Sequence, residues 1–375
     1  MTVSIEPVAR DRRGRTRFWR AGLVPYAGDP CHVTPLLLDA HARWSPEHPF
    51  FRHAETQHLV AVHGGRDVGR IAATVDHRHD DVHGPGTGHV GWFESIRDPL
   101  VSGALLDAAS DWLRERGRTR VRGPLSYSTN GLTGLLVEDA EPGPPVIDMP
   151  YNPAWYAELL RDWGLEPARD VLALWLDVPD DLERLRRVAA RLEDRGAYRV
   201  RTIRTDRAGF AADVEHVLHI YNAAWERNWG FVPLTPDEIR HEARSMRAVL
   251  EPSLALFVEH DGVPVAFSLT LPDVHQALAR IRGRLWPWSI VRLLLARRRI
   301  DRGRVITLGV LPEHRRAGLE TVLILRSADA ARALRWRGAE CSWVLEDNEL
   351  MLSAIRRVGG RVYRRYRVYE RSLPT

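Results

Sequence analysis

The chain has 375 residues, 44% of them hydrophobic, which is enough for two globular domains of ordinary size. All 54 basic residues are arginine, so neither a Schiff-base lysine nor a Walker-type lysine is present. With only Cys31 and Cys341, a disulfide framework and a thiolate zinc site are excluded. The net charge of +5 suits an anionic cosubstrate without requiring nucleic acid. No apolar run has the length of a membrane span and residues 1–20 lack a signal-peptide core, so we expect a cytoplasmic protein with no membrane partner.

The first half of the chain shows strand signals early and a helix after the third of the main strands. An aromatic and proline-rich stretch without a helix signal follows the first strand. The predicted elements are strands over 3–8, 58–63, 67–75, 88–95, 119–123 and 171–178, helices over 98–116 and 152–163, and a polar loop over 124–150.

The second half repeats this order after a charged helix over 181–195. Thr235 to Glu238 forms a capping box with proline at the first helical position, and Asp261-Gly262 marks a hairpin turn. The predicted elements are strands over 199–204, 254–259, 263–271, 304–309 and 340–345, a closing strand pair over 361–370, and helices over 211–227, from 235, from 319 and over 349–358. We infer a tandem duplication from this shared order.

The segment 310–319 carries the clearest chemical signal. It lies between a predicted strand and a predicted helix, so backbone N–H groups stay free at a helix N-terminus, where anions bind. Arg315 and Arg316 supply charge-assisted donors, and Gly318 lets the backbone approach a phosphate closely. The sequence therefore predicts a diphosphate-binding turn.

This turn resembles motif A of the GNAT N-acetyltransferase superfamily, Arg/Gln-x-x-Gly-x-Gly/Ala, from which the chain departs at Glu320. The resemblance implies acyl-CoA as cosubstrate and no metal. It implies an α/β (α+β) fold of two tandem GNAT-like domains, each a splayed mixed sheet with helices on both faces. The CoA-binding residues that follow are Leu308, Val310, Arg315, Arg316, Ala317, Gly318, Leu319 and Asn348.

The helix from Asn348 to Gly359 resembles the GNAT motif-B helix in its spacing. Family members often have a tyrosine seven residues after the asparagine that protonates the departing thiolate, and here that residue is Ile355. Another tyrosine on 361–370 or water would replace it. We take Tyr363 as the catalytic candidate, with Tyr366 and Tyr369 as its alternatives.

The aromatic segment 221–231 is the candidate acceptor side of the cleft. A helix would place Tyr221, Trp225 and Asn228 on one face, and an aromatic core face is the alternative interpretation. A buried Glu226 would be a plausible base because desolvation raises a carboxyl pKa, and Glu346 is the rival. The candidate substrate-binding residues are Tyr221, Trp225, Asn228, Trp229, Tyr127 and Asn130.

Domain organisation follows from these motifs. We expect an N-terminal GNAT-like domain over 1–180 without a CoA loop, a linker helix over 181–197, and a C-terminal GNAT domain over 198–375 with motif A at 310–320. The whole chain resembles a widespread bacterial group of tandem-GNAT proteins of this length. The stretch 77–83 has the residue types of a metal site but sits in a glycine-flanked loop without ligand spacing, so we expect no metal.

An arginine-rich insertion occupies 274–304, where the fold normally has a short turn. A basic face packed against the other half or a second subunit, as in a homodimer, is one interpretation. A clamp for the CoA 3′-phosphate or for tRNA is the other, because arginine binds phosphates bidentately.

The leading hypothesis is an acyl-CoA-dependent N-acyltransferase that moves an acyl group, by expectation acetyl, to a small-molecule amine. Fem-type aminoacyl transfer from charged tRNA is the enzymatic alternative. A non-catalytic protein that binds a CoA ester or another metabolite is the third hypothesis.

Overall fold

The computed structural model describes residues 2–179, 181–193, 196–279, 281, 283, 296 and 298–374. The chain divides into two compact units. Unit 1 comprises Met1–Leu172, Leu278–Leu294 and Tyr363–Thr375, and unit 2 comprises Ala173–Ala277 and Leu295–Val362.

Unit 1 begins with a four-stranded antiparallel arrangement that is interrupted by two helices after the first strand. The elements are β1 Val3–Val8, α1 Arg12–Ala21, α2 Leu37–Arg43, β2 Ala54–His63, β3 Arg66–Asp76, α3 His77–His83, β4 Thr87–Ser95, α4 Pro99–Arg114, β5 Arg120–Gly123, β6 Leu135–Asp139, α5 Tyr156–Asp162 and β7 Glu166–Asp177. Strands β1 to β4 pair in sequence order, and β5 pairs parallel to β4.

Both faces of the unit 1 sheet are covered, as the alternation of side chains along β2 and β3 requires. Leu59 and Ile71 face a core that includes the buried side of α4, such as Leu105. Their neighbours Val60 and Ala72 face the opposite core, with Phe18, Trp44, Phe50 and Tyr127. Helices on both faces of a mixed sheet are therefore confirmed for this unit.

Unit 2 repeats the same element order. Its elements are α6 Glu183–Glu193, β8 Tyr198–Thr202, α7 Arg207–Trp225, α8 Pro236–Met246, β9 Ala255–His260, β10 Val263–Pro272, α9 His275–Leu278, β11 Arg302–Val310, α10 Leu319–Ala333, β12 Gly338–Leu345 and α11 Glu349–Arg357. The last strand, β13 Arg361–Ser372, starts at the end of unit 2 and belongs to unit 1 from Tyr363 onward. Strands β8 to β11 pair antiparallel in sequence order, and β12 pairs parallel to β11. The predicted duplication is therefore present as topology: four antiparallel strands, a helix, then a parallel strand.

The capping box at the start of α8 and the hairpin turn between β9 and β10 form as predicted. Thr235 Oγ1 accepts from Glu238 N, and the Glu238 carboxylate accepts from Thr235 N at 2.8 Å. Asp261 and Gly262 both adopt positive φ, as a two-residue hairpin turn needs.

The compact units differ from the expected domains in three places. The boundary at Leu172/Ala173 falls inside β7, one continuous strand. Residues 363–375 join unit 1, because β13 pairs antiparallel with β5 and β6 there. Helix α6 packs on α10 within unit 2, so it is part of that unit's core.

Five elements were missed by the sequence analysis, and one was wrong in kind. Helices α1 and α2 lie in the stretch read as an aromatic entry, the predicted loop at 77–83 is α3, β6 lies in the predicted polar loop, and α9 lies in the predicted insertion. The predicted closing strand pair is the single strand β13. Helix α1 was missed because its arginines mask an amphipathic pattern whose apolar side is Phe18 and Ala21.

Candidate active site

The central feature of unit 2 is a fork between β11 and β12. Their parallel register covers only Arg302–Val305 against Gly338–Cys341, although β11 continues to Val310 and β12 to Leu345. Beyond Val305 the two strands share no register. Backbone groups on the facing edges of the fork can therefore bind a ligand, because neither strand satisfies the other there.

A bulge on the other edge of β11 coincides with the start of this fork. Leu269 of β10 is opposite Thr307, but the next residue, Thr270, is opposite Val305, so Ile306 has no counterpart. Bulges of this kind re-aim the backbone and are frequent beside active sites. Unit 2 thus changes backbone direction where its strands separate.

Helix α10 begins beside the fork with a free N-terminus. Its N-cap is Gly318 in the left-handed region, with φ of 82° and ψ of 20°, and no side chain caps it. The amides of the first turn and the helix dipole therefore favour an anion at this position. Arg316, also at positive φ, is exposed in the preceding turn.

The two arginines of the turn have different surroundings. One guanidinium nitrogen of Arg315 donates to the Ala224 carbonyl at 3.1 Å and so ties the turn to the end of α7. Arg316 is exposed, and no ion pair of its side chain occurs among the described residues. Arg316 is therefore the cation of this turn that is open to a ligand.

The other predicted CoA-binding residues contribute backbone more than side chain. Val310 and Leu319 are buried, and Leu308 and Ala317 pack against the same core. Asn348 caps α11 by accepting from Met351 N at 3.1 Å. Its side-chain oxygen is thus committed to the helix.

Glu320 lies in the first turn of α10, where its charge suits the helix dipole. Its Oε2 atom is shielded from solvent and has no hydrogen-bond partner among the described residues. The carboxylate does not cap the helix, so the amides are not occupied by it.

The predicted aromatic face meets the motif strand directly. Trp225 and Tyr221 stack with ring centroids 4.8 Å apart, and Trp225 lies against the backbone of Gly309. Burial raises the pKa of Tyr221 to about 12. Asn228 N–H donates to the Trp225 carbonyl at 2.8 Å, and Trp229 is half-buried. The α7 end is therefore held beside β11.

Neither candidate base is buried. Glu226 is the exposed C-cap residue of α7, and Glu346 is exposed just after β12. The expectation of a buried Glu226 was wrong, because α7 ends at Trp225 and the next side chain points to solvent.

Three candidates belong to unit 1. Tyr363 is buried on β13, with the Arg364 guanidinium 5.1 Å from its ring. Tyr127 is buried at φ of 81°, and its hydroxyl is 2.8 Å from His58 Nε2. Asn130 N–H donates to Ser128 Oγ at 3.2 Å. All three therefore belong to unit 1, whereas the α10 turn belongs to unit 2.

A buried polar chain at the base of the fork was missed. Arg304 Nε donates to Ser342 Oγ at 2.8 Å, and that hydroxyl donates to the Glu340 carboxylate. All three residues are buried, and Arg304 pairs in register with Glu340. The sequence signal that could have identified this chain is the presence of charged residues, Arg304 and Glu340, at strand positions whose neighbours in sequence are apolar.

Unit 1 has a comparable fork, because β4 and β5 pair only over Thr87–His89 and Arg120–Arg122. There, however, Asp98 caps α4 by accepting from Leu100 N at 2.9 Å. Glu94 near the end of β4 is partly buried and accepts from the hydroxyls of Tyr26 and Tyr156 at 2.7 and 2.9 Å. A carboxylate thus caps the helix end that is open in unit 2.

Two further findings concern the described residues only. Within them, no group of three or more histidine, cysteine, aspartate or glutamate side chains is placed to hold a metal ion. No described helix has both the length and the apolar character needed to cross a bilayer. About half of the arginine-rich insertion, including 284–295, lies outside the described residues, so its predicted phosphate clamp is not described as a whole.

No protein-family model matches the chain. Solved structures match it along its full length. A tandem GNAT protein from the clavulanic acid biosynthesis pathway superposes with a TM-score of 0.61 at 16% identity, covering 100% of this chain and 99% of that one. A GCN5-related N-acetyltransferase from Sphaerobacter thermophilus gives 0.53 at 13% identity, covering 98% and 95%. With the duplicated topology, these matches define the fold as a tandem GNAT fold.

Two curated relatives narrow the class. The chain is 35% identical over 356 residues to a bacterial ceramide synthase of Caulobacter vibrioides, covering 92% of both chains. It is 32% identical over 354 residues to protein YghO of Escherichia coli, covering 93% of this chain and 90% of that one. The chain therefore belongs to the protein family of this bacterial ceramide synthase.

Proposed function

We propose that this protein is a long-chain N-acyltransferase of the ceramide synthase type. It would move a fatty acyl group from a CoA thioester to the primary amine of a long-chain amino alcohol. The observation that carries the proposal is the uncapped N-terminus of α10 beside the β11–β12 fork. That arrangement supports a diphosphate site, which would lie next to backbone groups that β11 and β12 do not satisfy for each other.

The class of acyl group and amine comes from the relative. A ceramide is the amide of a long-chain acid and a long-chain amino alcohol, and the Caulobacter relative is a ceramide synthase. A fatty acyl donor therefore replaces the acetyl donor expected from the sequence. The amine belongs to a lipid in place of a small polar metabolite.

The proposed reaction needs one base and one acid. The amine nitrogen attacks the thioester carbonyl, a C–N bond forms, and the C–S bond breaks as the thiolate leaves and takes up a proton. Backbone N–H groups of β11 past Val305 would stabilise the negative charge that develops on the carbonyl oxygen. Glu226 or Glu346 would accept the amine proton, and water would supply the proton for the thiolate, since Tyr363 belongs to unit 1.

The test uses the purified full chain with palmitoyl-CoA or acetyl-CoA and with sphinganine or short amines. Free thiol and the mass of the amide are measured together. We expect the amide of palmitate and sphinganine as the main product. Acetylation of short amines alone would contradict the proposal. Protection from thermal unfolding by CoA without any turnover would identify a binding protein instead.

The base is assigned by Glu226→Gln and Glu346→Gln in the same assay. We expect one of them to lower kcat by about 100-fold or more, as removal of a general base does. Loss in neither variant would exclude both carboxylates. The tRNA-dependent alternative rests on the composition of the arginine-rich insertion, about half of which lies outside the described residues.

A further inference from the structure

Helix α1 presents unpaired positive charge on the surface of unit 1. Arg12, Arg13 and Arg20 are exposed, and no ion pair joins them to an acid among the described residues. The nearest acid in sequence, Asp11, is used as the N-cap and accepts from Gly14 N at 2.7 Å. In the same helix Arg17 does pair, with Glu6 and Asp67, so the exposed three differ from a structural arginine.

Helix stability does not account for two of these charges. Arg12 and Arg13 occupy the first turn of α1, which contains no acidic residue. A cation at a helix N-terminus is repelled by the helix dipole, whereas Arg20, in the last turn, is favoured by it. Positions 12 and 13 are therefore unfavourable for α1 itself.

An exposed apolar side chain lies on the helix attached to α1. Leu38 of α2 is 69% exposed, although Ala40 of the same helix is buried. Two contacts join this region to α1: Thr16 Oγ1 is 3.0 Å from His41 Nε2, and Trp19 Nε1 donates to the Pro35 carbonyl at 3.1 Å. The contacting elements α1 and α2 thus expose three cations and a leucine. Surfaces that bind in a lipid headgroup layer have this combination of basic and apolar side chains.

The acidic residues of the segment from Arg10 to Arg43 do not neutralise its positive charge. Between Arg10 and Arg43 the sequence has seven arginines against Asp11, Asp29 and Asp39. Asp29 accepts from the Tyr151 hydroxyl at 2.8 Å, and Asp39 is exposed next to Leu38. The net charge of the stretch stays positive.

The arginine-rich insertion reaches the same part of unit 1. A Cβ on Gly283 would come within 2.6 Å of the Thr34 side chain and 3.0 Å of the Pro35 carbonyl oxygen, so the two backbones are adjacent. Between Asp273 and Asp301 the sequence has seven arginines, two tryptophans and no acid. At Gly283, therefore, a second stretch of basic and aromatic composition comes close to the segment that precedes α2.

We propose that the α1–α2 surface, formed by Arg12, Arg13, Arg20 and Leu38, docks the protein on an anionic phospholipid bilayer. The arginines contact lipid phosphates and Leu38 enters the headgroup boundary. The choice of a bilayer over RNA rests on the proposed function, whose amine and product are lipids. This inference replaces the expectation of no membrane partner, which considered only spanning segments.

The test is co-sedimentation of the full chain with vesicles of phosphatidylglycerol and phosphatidylethanolamine, compared with phosphatidylcholine vesicles. We expect binding to the anionic vesicles that falls steeply with salt. Changing Arg12, Arg13 and Arg20 together to glutamate should lower it at least about 100-fold, since each basic residue near an anionic surface contributes. Leu38→Ser should lower it about 10-fold with little change in salt dependence.

A matched variant changes three exposed arginines of unit 2, Arg187, Arg207 and Arg244, to glutamate and should retain binding. Glutamate suits the helix dipole at positions 12 and 13, in the first turn, but not at position 20, in the last turn, so the thermal midpoint of the α1 variant is compared with that of the wild type to exclude misfolding. Equal binding to neutral vesicles, or wild-type binding by the α1 variant, would overturn the inference. So would tenfold tighter binding of tRNA that is lost in the α1 variant, since the surface would then serve nucleic acid.

The two proposals fail separately. Vesicle binding requires no turnover, and amide formation can be measured with both substrates in detergent micelles. Vesicle binding without amide formation would refute only the proposed reaction. Wild-type turnover in micelles without vesicle binding would refute only the docking surface.

Discussion

The indole of Trp225 lies against the backbone of Gly309, so closely that a Cβ on Gly309 would come within 2.7 Å of the ring. This contact joins the end of α7 to the motif strand β11. Only glycine leaves room for the ring, because the Cβ of any other residue would lie closer to the ring atoms than van der Waals contact allows. The aromatic face and the fork are therefore parts of one packed arrangement in unit 2.

Gly309→Ala should displace Trp225 and lower N-acyl transfer about tenfold, with a loss of about 1–3 kcal/mol in the free energy of unfolding from overpacking. Steady-state kinetics and urea denaturation measure the two effects. Gly103→Ala is the control, because it adds the same methyl group in α4 with nothing within 4 Å. It should leave activity unchanged and stabilise the helix. Wild-type kinetics in the Gly309 variant would mean that Trp225 has no part in the reaction.

Gly318→Ala should weaken CoA binding about tenfold, because alanine disfavours the φ of 82° that starts α10. Isothermal titration with CoA measures this loss. Gly359 has φ of 95° with nothing within 4 Å of its missing Cβ, so Gly359→Ala adds comparable strain away from the α10 turn. We expect that control to lose stability and keep its CoA affinity. Equal CoA affinity in both variants would argue against a diphosphate at α10.

Arg316→Gln should raise the KM for the thioester about tenfold, and the effect should shrink at high salt because the lost interaction is between charges. Arg315→Gln removes instead the hydrogen bond to the Ala224 carbonyl. Its main expected effect is a lower thermal midpoint. The opposite pattern, with KM changed only by Arg315→Gln, would show that the two arginines have exchanged roles.

Three buried histidines should make the protein acid-sensitive. Burial lowers the pKa of His58 and His79 to about 3 and that of His89 to about 4. The unfolded chain binds their protons near pH 6.5 and the folded chain does not, so stability is full above pH 6.5 and falls as pH decreases toward 4. Each histidine contributes up to about 1.4 kcal/mol per pH unit.

Denaturation with urea between pH 7 and pH 5 checks this slope. His79→Gln should remove roughly one third of the histidine contribution to it. Changing the exposed His219 to glutamine should not alter it. An unchanged slope in the His79 variant would mean that this side chain is protonated in the fold.

Glu340→Gln should cost about 3 kcal/mol of unfolding free energy, because it removes the only charge of the buried chain that opposes Arg304. Chemical denaturation at pH 7.5 measures the loss. Glu183→Gln breaks an exposed pair with Arg186 and should cost less than about 1 kcal/mol. Similar small losses in both variants would mean that the buried chain contributes little to the fork.

The fold was largely predictable because strand alternation, caps and turns are local. Thr235 with Glu238, and Asp261 with Gly262, form within a few residues and need no distant partner. Helix α1 was missed because its apolar side is short and its arginines dominate the average. The role of β13 was missed because a strand's pairing partner is chosen by the tertiary fold, and β13 pairs in unit 1.

The features of the candidate site likewise fall into those that the sequence predicted and those that it did not. The turn with Arg316 and Gly318 was identified from its local sequence alone, since helix starts and left-handed glycines have local sequence signatures. The exposure of Glu226, the contact of Trp225 with Gly309 and the chain from Arg304 to Glu340 were not. Each depends on where a strand or helix from elsewhere in the sequence is placed.

The sequence by itself determined the duplicated order of elements, the turn with Arg316 and Gly318 between a strand and a helix, and the exclusion of lysine chemistry, because these depend on residue identity and near-neighbour spacing. The tertiary structure decided which helix end is open, which arginine is available and which unit receives the last strand. Those outcomes follow from packing and from the satisfaction of backbone hydrogen bonds over long distances in the chain. No local pattern encodes them.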